Sequence, residues 1–191
     1  PVTDFFKSYR TVDLKPNELQ VWMAGGPSQD QKQLAASKMI RLKGKLFSCL
    51  SDAGISVVLI TQASSEHSIC FAINDKDSAR IESVVRDEFL VDFENGNLQK
   101  LQIQDHCSIV AVVGSGMSGT KGIAAKFFRA MSDSRTNVMA IAQGSSEKNI
   151  SAVVKTNDVS NAIHSMHQAF FDQSIDVNIG IIDLHGILLF C

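Results

Sequence analysis

The 191-residue chain has no long apolar run, no excess of either charge and no cysteines in C-x-x-C spacing. Each absence removes a class of protein. The longest apolar runs, at 55–60 and 109–113, fall far short of the ~20 residues that cross a bilayer. A net charge of -2 offers no basic field for nucleic acid or an anionic membrane. The four cysteines, Cys49, Cys70, Cys107 and Cys191, are scattered. Cys49 and Cys70 fall in apolar-periodic segments, where a free cysteine behaves as a small hydrophobe, which predicts a reduced, intracellular setting and no metal site. His164 and His167 stand three apart on a predicted helix, but no third ligand accompanies them, so they read as surface residues. The opening PVTDFFKSYR has no charged segment followed by an apolar one, so it does not read as a secretory leader. No Ser/His/Asp or Cys/His set has supporting context, so nothing points to a hydrolase. What remains is an ordinary globular balance, 45% hydrophobic and 20% charged, with enough length to bury a core.

What the sequence does contain is a repeat. ITQASSEHSI at 60–69 returns as IAQGSSEKNI at 141–150. At the same offset Lys45-Leu46-Phe47 matches Lys126-Phe127-Phe128, and Leu50-Ser51-Asp52 matches Met131-Ser132-Asp133. The match runs without a gap from Lys45 to Ile73. Upstream, Gly25 lies 20 residues before Lys45, whereas Gly114 lies 12 before Lys126, so the first copy carries an insertion within PSQDQKQLAASKMIRLKG.

Both copies show one order of elements. In the second, SIVAVV at 108–113 reads as a buried strand, GSGMSGTKG as a glycine-rich turn, and 123–133 as a helix with apolar residues at helical spacing. A strand at 137–142, the turn GSSEKN and an alternating strand at 150–155 follow. Thr156 or Asn157 then caps a helix bearing Val159, Ala162, Ile163, Met166 and Phe170 on one face, before a last apolar strand at 175–182. The first copy reads as strand 19–24, helix 34–52, strand 56–60, strand 69–73 and helix 77–89. A turn at Gly96-Asn97 and a strand at 101–104 complete it. The predicted fold class is α+β, two ferredoxin-like βαββαβ units in tandem. Such a unit carries helices on one sheet face only, so each sheet needs another sheet or subunit on its bare face. Each Q-x-S-S-E phrase falls at the hairpin between a unit's second and third strands, where small polar residues satisfy free backbone groups.

At ITQASSEHSICFAI, GSGMSGTKGIAAKFF and NVMAIAQGSSEKNISAVV the sequence resembles the tandem ACT domains of aspartate kinase, with the bifunctional aspartokinase–homoserine dehydrogenases as the nearest form. The resemblance is strong over 55–173 and weaker over 9–24. It implies a division into residues 1–18, a linker with a strand at 9–14 pairing with the second unit, then a first ACT domain at 19–105 and a second at 106–178. Residues 179–191 would be a remnant of the first strand of a following Rossmann domain. It implies an amino-acid effector, threonine favoured, inhibition passed to flanking catalytic domains, homo-oligomer formation through the ACT sheets, and a cytoplasmic location, or a plastid one in a plant. No cofactor is implied for this segment. Two departures stand out. GGPSQDQKQ replaces the glycine-rich turn of the first copy, and Asp183, Leu184 and His185 follow IGII where a dinucleotide fold needs glycines to admit a pyrophosphate.

An amino-acid ligand needs N–H donors for its carboxylate, acceptors for its ammonium and a selective polar group for its side chain. The turn 114–122 before a helix supplies donors and a positive dipole end, with Gly116 and Met117 central to it. Asn137 offers a carbonyl beside that turn. By the resemblance, Gln62 and Gln143 touch the effector, each with an amide that donates and accepts. Ser64, Ser65, Glu66, Ser145, Ser146 and Glu147 are secondary positions, turn-formers or dimer contacts before direct ligands. GSGMSGTKG lacks the spacing of a phosphate loop, because Gly122 rather than Ser or Thr follows Lys121. The competing expectation is a structural dimerisation module that has lost its effector.

Overall fold

The computed structural model describes residues 9–14, 29–62, 69–98, 101–171 and 180–184. In chain order the elements are β1 (Tyr9–Leu14), α1 (Gln29–Asp52), β2 (Val57–Thr61), β3 (Ile69–Ile73), α2 (Ser78–Glu88) and α3 (Leu90–Glu94). Then come β4 (Gln102–Val113), α4 (Ile123–Asp133), β5 (Ala140–Gln143), β6 (Asn149–Lys155), α5 (Val159–Phe171) and β7 (Gly180–Leu184).

The strands run in the order β2-β3-β1-β4-β6-β5, all antiparallel, with β7 also on β4. β4 belongs to both units. Its first half pairs with β1, from Gln102↔Asp13 to Cys107↔Tyr9. Its second half pairs with β6 on one edge and with β7 on the other, from Ile109↔Leu184 to Val113↔Gly180. Each unit therefore has the ferredoxin-like order, its fourth strand beside its first and its third between first and second. The first unit reads β4-β1-β3-β2 and the second β7-β4-β6-β5. The strand predicted at 101–104 and that predicted at 108–113 are one continuous strand. Between Thr11↔Gln104 and Tyr9↔Cys107, β4 advances one residue more than β1, and His106 there has φ 56. An extra residue in one strand of a ladder bends it. This bulge carries β4 from one sheet into the next.

Alternation along β4 explains how the sheets pack. Val110 and Val112 face the second unit's own helices, in a core with Phe127, Met131, Ile150, Val154, Met166 and Phe170. The alternate residues Cys107, Ile109 and Ala111, with Val153 of β6, join the first unit's core instead. That core holds Leu42, Leu46 and Leu50 from α1, and Ile81 and Val85 from α2 with Phe89 at its C-terminal cap, each set spaced four apart so that it shares one face. All five residues of β3 are buried, so that strand has a covered surface on both sides. The bare face expected of each sheet is thus covered by the other unit.

The structure departs from several expectations. Tyr9–Leu14 lies between β3 and β4, in the first-strand place of the first unit, where pairing with the second unit's sheet was expected. The strand predicted at 19–24 lies outside the described residues. Gly180–Leu184, expected to open a further domain, closes the second sheet on the free edge of β4. The insertion of the first copy enters α1, which runs 24 residues against 11 for α4. The short helix α3 went unpredicted. The strand expected at 137–142 begins at Ala140; Arg135 has φ 54, and the Thr136 N–H turns back to the Met131 carbonyl at 2.9 Å, which keeps the chain out of the ladder until Met139 bonds Val153.

The duplication also reaches side-chain contacts. Lys45 lies over the Phe89 ring at 4.6 Å, and Lys126 over the Phe170 ring at 5.2 Å. Lys45 adds Glu88 at 3.4 Å and Asp92 at 3.7 Å. Burial, and then the Glu88 carboxylate, push the Cys49 thiol up to about 11. Burial raises the Cys107 thiol likewise to about 11. Thiolate is the reacting form, so alkylation of both at pH 8 is expected to run about a hundredfold slower than in the urea-unfolded chain. Peptide mapping after timed iodoacetamide exposure checks this; equal rates in the folded and unfolded chain would contradict it.

Candidate functional site

The loop after β4 is built on glycine. A single 3-10 turn, Ser115–Met117, leaves the strand, and Gly119 and Gly122 have φ 71 and 88, a region that side-chain-bearing residues rarely enter. Thr120 closes the loop on itself, its hydroxyl donating to the Gly116 carbonyl at 2.7 Å and its N–H to the Met117 carbonyl at 3.0 Å. Gly122 caps α4 without a side-chain hydrogen bond, so the helix's first donors and positive dipole end face the loop unassisted.

The β5–β6 hairpin lies against this loop. Gly114 N–H donates to the Lys148 carbonyl at 2.9 Å, and Gly119 N–H donates to Glu147 Oε2 at 2.8 Å. Glu147 itself has φ 55, with its N–H bonded to the Gly144 carbonyl at 3.0 Å. Gln143 is the last residue of β5, immediately before that turn, and is exposed. The second unit therefore brings together Gln143, Ser145, Ser146 and Glu147 on one turn and Gly116 on the loop tied to it, all solvent-accessible. Met117 does not join them. Its side chain is buried in the second core, so the expectation that it meets an effector is corrected to a packing role. Asn137 is exposed in the segment before β5 rather than at the start of a strand.

The first unit differs. A long α1 stands where the second unit has its glycine loop and short helix. Gln62 follows β2, is exposed, and accepts a hydrogen bond from Lys43 of α1. Ser64, Ser65 and Glu66 lie outside the described residues. Lys43 and Gly119 were not singled out from the sequence. The repeat hides Lys43, because it lies in the stretch that holds the first copy's insertion, before the gap-free match begins at Lys45. Which amide of a glycine-rich run is used depends on backbone angles that the run leaves open. Among the described residues, no group of three His, Cys, Asp or Glu is placed to hold a metal ion, and no helix is long and apolar enough to cross a membrane.

Two ferredoxin-like units sharing a strand, each with a polar phrase on its edge hairpin, define a duplicated α+β module. The family model for the ACT domain matches residues 37–89 and 110–170. The chain belongs to the ACT domain family, in two copies. Among curated proteins, the chain is 40% identical over 149 residues to the bifunctional aspartokinase/homoserine dehydrogenase of Haemophilus influenzae, covering 78% of this chain and 18% of that one. The chain thus spans under a fifth of that relative's length. Among solved structures, aspartate kinase of Clostridium acetobutylicum superposes with a TM-score of 0.64 at 27% identity, over 86% of this chain and 33% of that one. The ligand-free regulatory subunit of aspartate kinase from Thermus thermophilus shares the fold, with a TM-score of 0.61 at 21% identity, over 86% of this chain and 92% of that one.

Proposed function

We propose that this chain is the amino-acid-sensing regulatory region of an enzyme of the aspartokinase–homoserine dehydrogenase type, with threonine the favoured effector. The observation that carries the reading is the pair of bonds joining the glycine loop to the Gln143 hairpin. They tie a set of backbone donors to a turn that an exposed glutamine amide precedes, the complement a zwitterion with a hydroxyl side chain needs. Gln62 marks an equivalent position in the first unit, where a long α1 stands in place of the short α4. The segment itself carries no catalysis and takes no cofactor. Its partners are the flanking catalytic domains of its parent and a second copy through the ACT sheets, in the cytoplasm, or in a plastid if the parent is from a plant. Effector bound at the hairpins favours one arrangement of the two units, and the flanking domains respond to that arrangement.

Thermal unfolding with threonine, lysine, methionine and S-adenosylmethionine tests this. A ligand at a hundred times its dissociation constant adds about 2.7 kcal/mol, a readable rise in Tm. A rise with threonine alone supports the proposal. No rise with any of the four favours a structural dimerisation module, to which the lengthened α1 and buried Met117 already lend support.

A further inference from the structure

We infer that Glu147 is a tethered competitor for the carboxylate of the effector, and so sets how tightly the second unit holds it. The inference rests on the sensing role proposed above. Glu147 is exposed and has a choice of water on every side, yet its Oε2 accepts the Gly119 N–H at 2.8 Å across 28 residues of sequence. It does so from a left-handed backbone, φ 55, which a residue with a Cβ enters only under constraint from its surroundings. The neighbouring backbone bond, Gly114 N–H to the Lys148 carbonyl at 2.9 Å, already joins the hairpin to the loop, so the carboxylate is not needed to hold the two together.

A carboxylate on a backbone N–H is the interaction that an amino acid's own carboxylate would make with the same loop. Glu147 occupies the Gly119 donor in the free chain. A ligand that brings a carboxylate restores the bond that it displaces. A protonated amine has no acceptor to offer, and an alcohol or amide oxygen accepts without the charge, so each replaces the displaced bond only in part or not at all. Binding at the loop thereby releases the Glu147 side chain of the edge hairpin, and Glu147 acts as an affinity-setting residue.

The test is threonine titration of the full chain by calorimetry, with Glu147→Gln and Glu147→Asn alongside the unaltered protein. Glutamine keeps the size and removes the charge. Asparagine is too short to reach Gly119 and tolerates the left-handed backbone, so it leaves the turn intact. Both variants are expected to bind threonine about fivefold more tightly, the scale of one solvent-exposed charge-assisted hydrogen bond. Threoninol, which lacks the carboxylate, is expected to bind more weakly than threonine in all three and to gain no more than threonine does in the variants. Binding by the variants but not by the unaltered chain supports the inference most strongly. Threonine bound by all three with unchanged or weakened affinity in the variants overturns the competitor while leaving the sensing role standing. Binding by none of the three overturns both.

Discussion

Phe71→Ala and Phe127→Ala are each expected to lower the stability of the whole module by about 3–5 kcal/mol, and to do so within one unfolding transition. Phe71 is fully buried on β3, edge-on to Phe47 of α1 at 6.0 Å between ring centroids. Phe127 is fully buried on α4, edge-on to Phe128 at 5.4 Å. Each truncation removes an aromatic side chain from a close-packed site and leaves a cavity that its neighbours refill only in part. The two residues lie in different cores and different units. Two independent ferredoxin-like domains would unfold separately, and each variant would then shift one of two transitions. Here Cys107, Ile109, Ala111 and Val153, carried by strands of the second sheet, pack into the first unit's core, and β4 is a strand of both sheets. Unfolding either unit exposes the other's inner face. Urea titration followed by circular dichroism should show a single step in both variants, with lowered midpoint and unchanged slope. A biphasic curve in either variant, with one midpoint at its original place, would show that the units fold independently.

Most of this architecture is legible in the sequence because it is local. The spacing of Leu42, Leu46 and Leu50, or of Ile81, Val85 and Phe89, reports a helix with one apolar face, and the repeated Q-x-S-S-E phrase reports a hairpin twice. The parts that escape are those set by partners distant along the chain. YRTVDL at 9–14 is as good a strand as the segment at 19–24, and only the ladder with Phe71 and Ile103 assigns it to the first sheet. The bulge at His106 merges two predicted strands into one, and no turn residue announces it. At the site, glycine content located the loop, while the direction of each side chain in it went unread. Met117 sits between exposed Gly116 and Ser118 and differs from them only in pointing inward, a consequence of the 3-10 turn that no spacing rule reports. Glu147 was legible as a turn residue; its bond to Gly119 spans elements and was not.

The two glutamines are expected to contribute unequally to effector binding, despite their identical place in the repeat. Gln143→Ala should weaken threonine binding by about tenfold, the loss of a well-formed hydrogen bond to the ligand. Among the described residues no side chain engages the Gln143 amide, so it meets the ligand without first releasing a partner. Gln62 accepts from Lys43 in the free chain. Its oxygen must leave an ammonium to reach a ligand, and the long α1 replaces the glycine loop that would supply the other contacts. Gln62→Ala should therefore weaken binding by about threefold or less, because the bond it loses to the ligand is offset by one no longer broken. Calorimetric titration of both variants with threonine measures the difference, and the Tm of each in the absence of ligand reports whether folding is intact. Both side chains lie on the surface, and their removal is expected to leave that Tm within a degree or two. The reverse order, with Gln62→Ala the more damaging, would place the working site in the first unit and show that the glycine loop serves α4 alone. Equal tenfold losses would mean that one effector draws on both hairpins. The asymmetry rests on a single physical difference between the copies. One glutamine begins bonded to a cation and the other does not, and a ligand gains from a polar group only the interaction that the free protein has not already made.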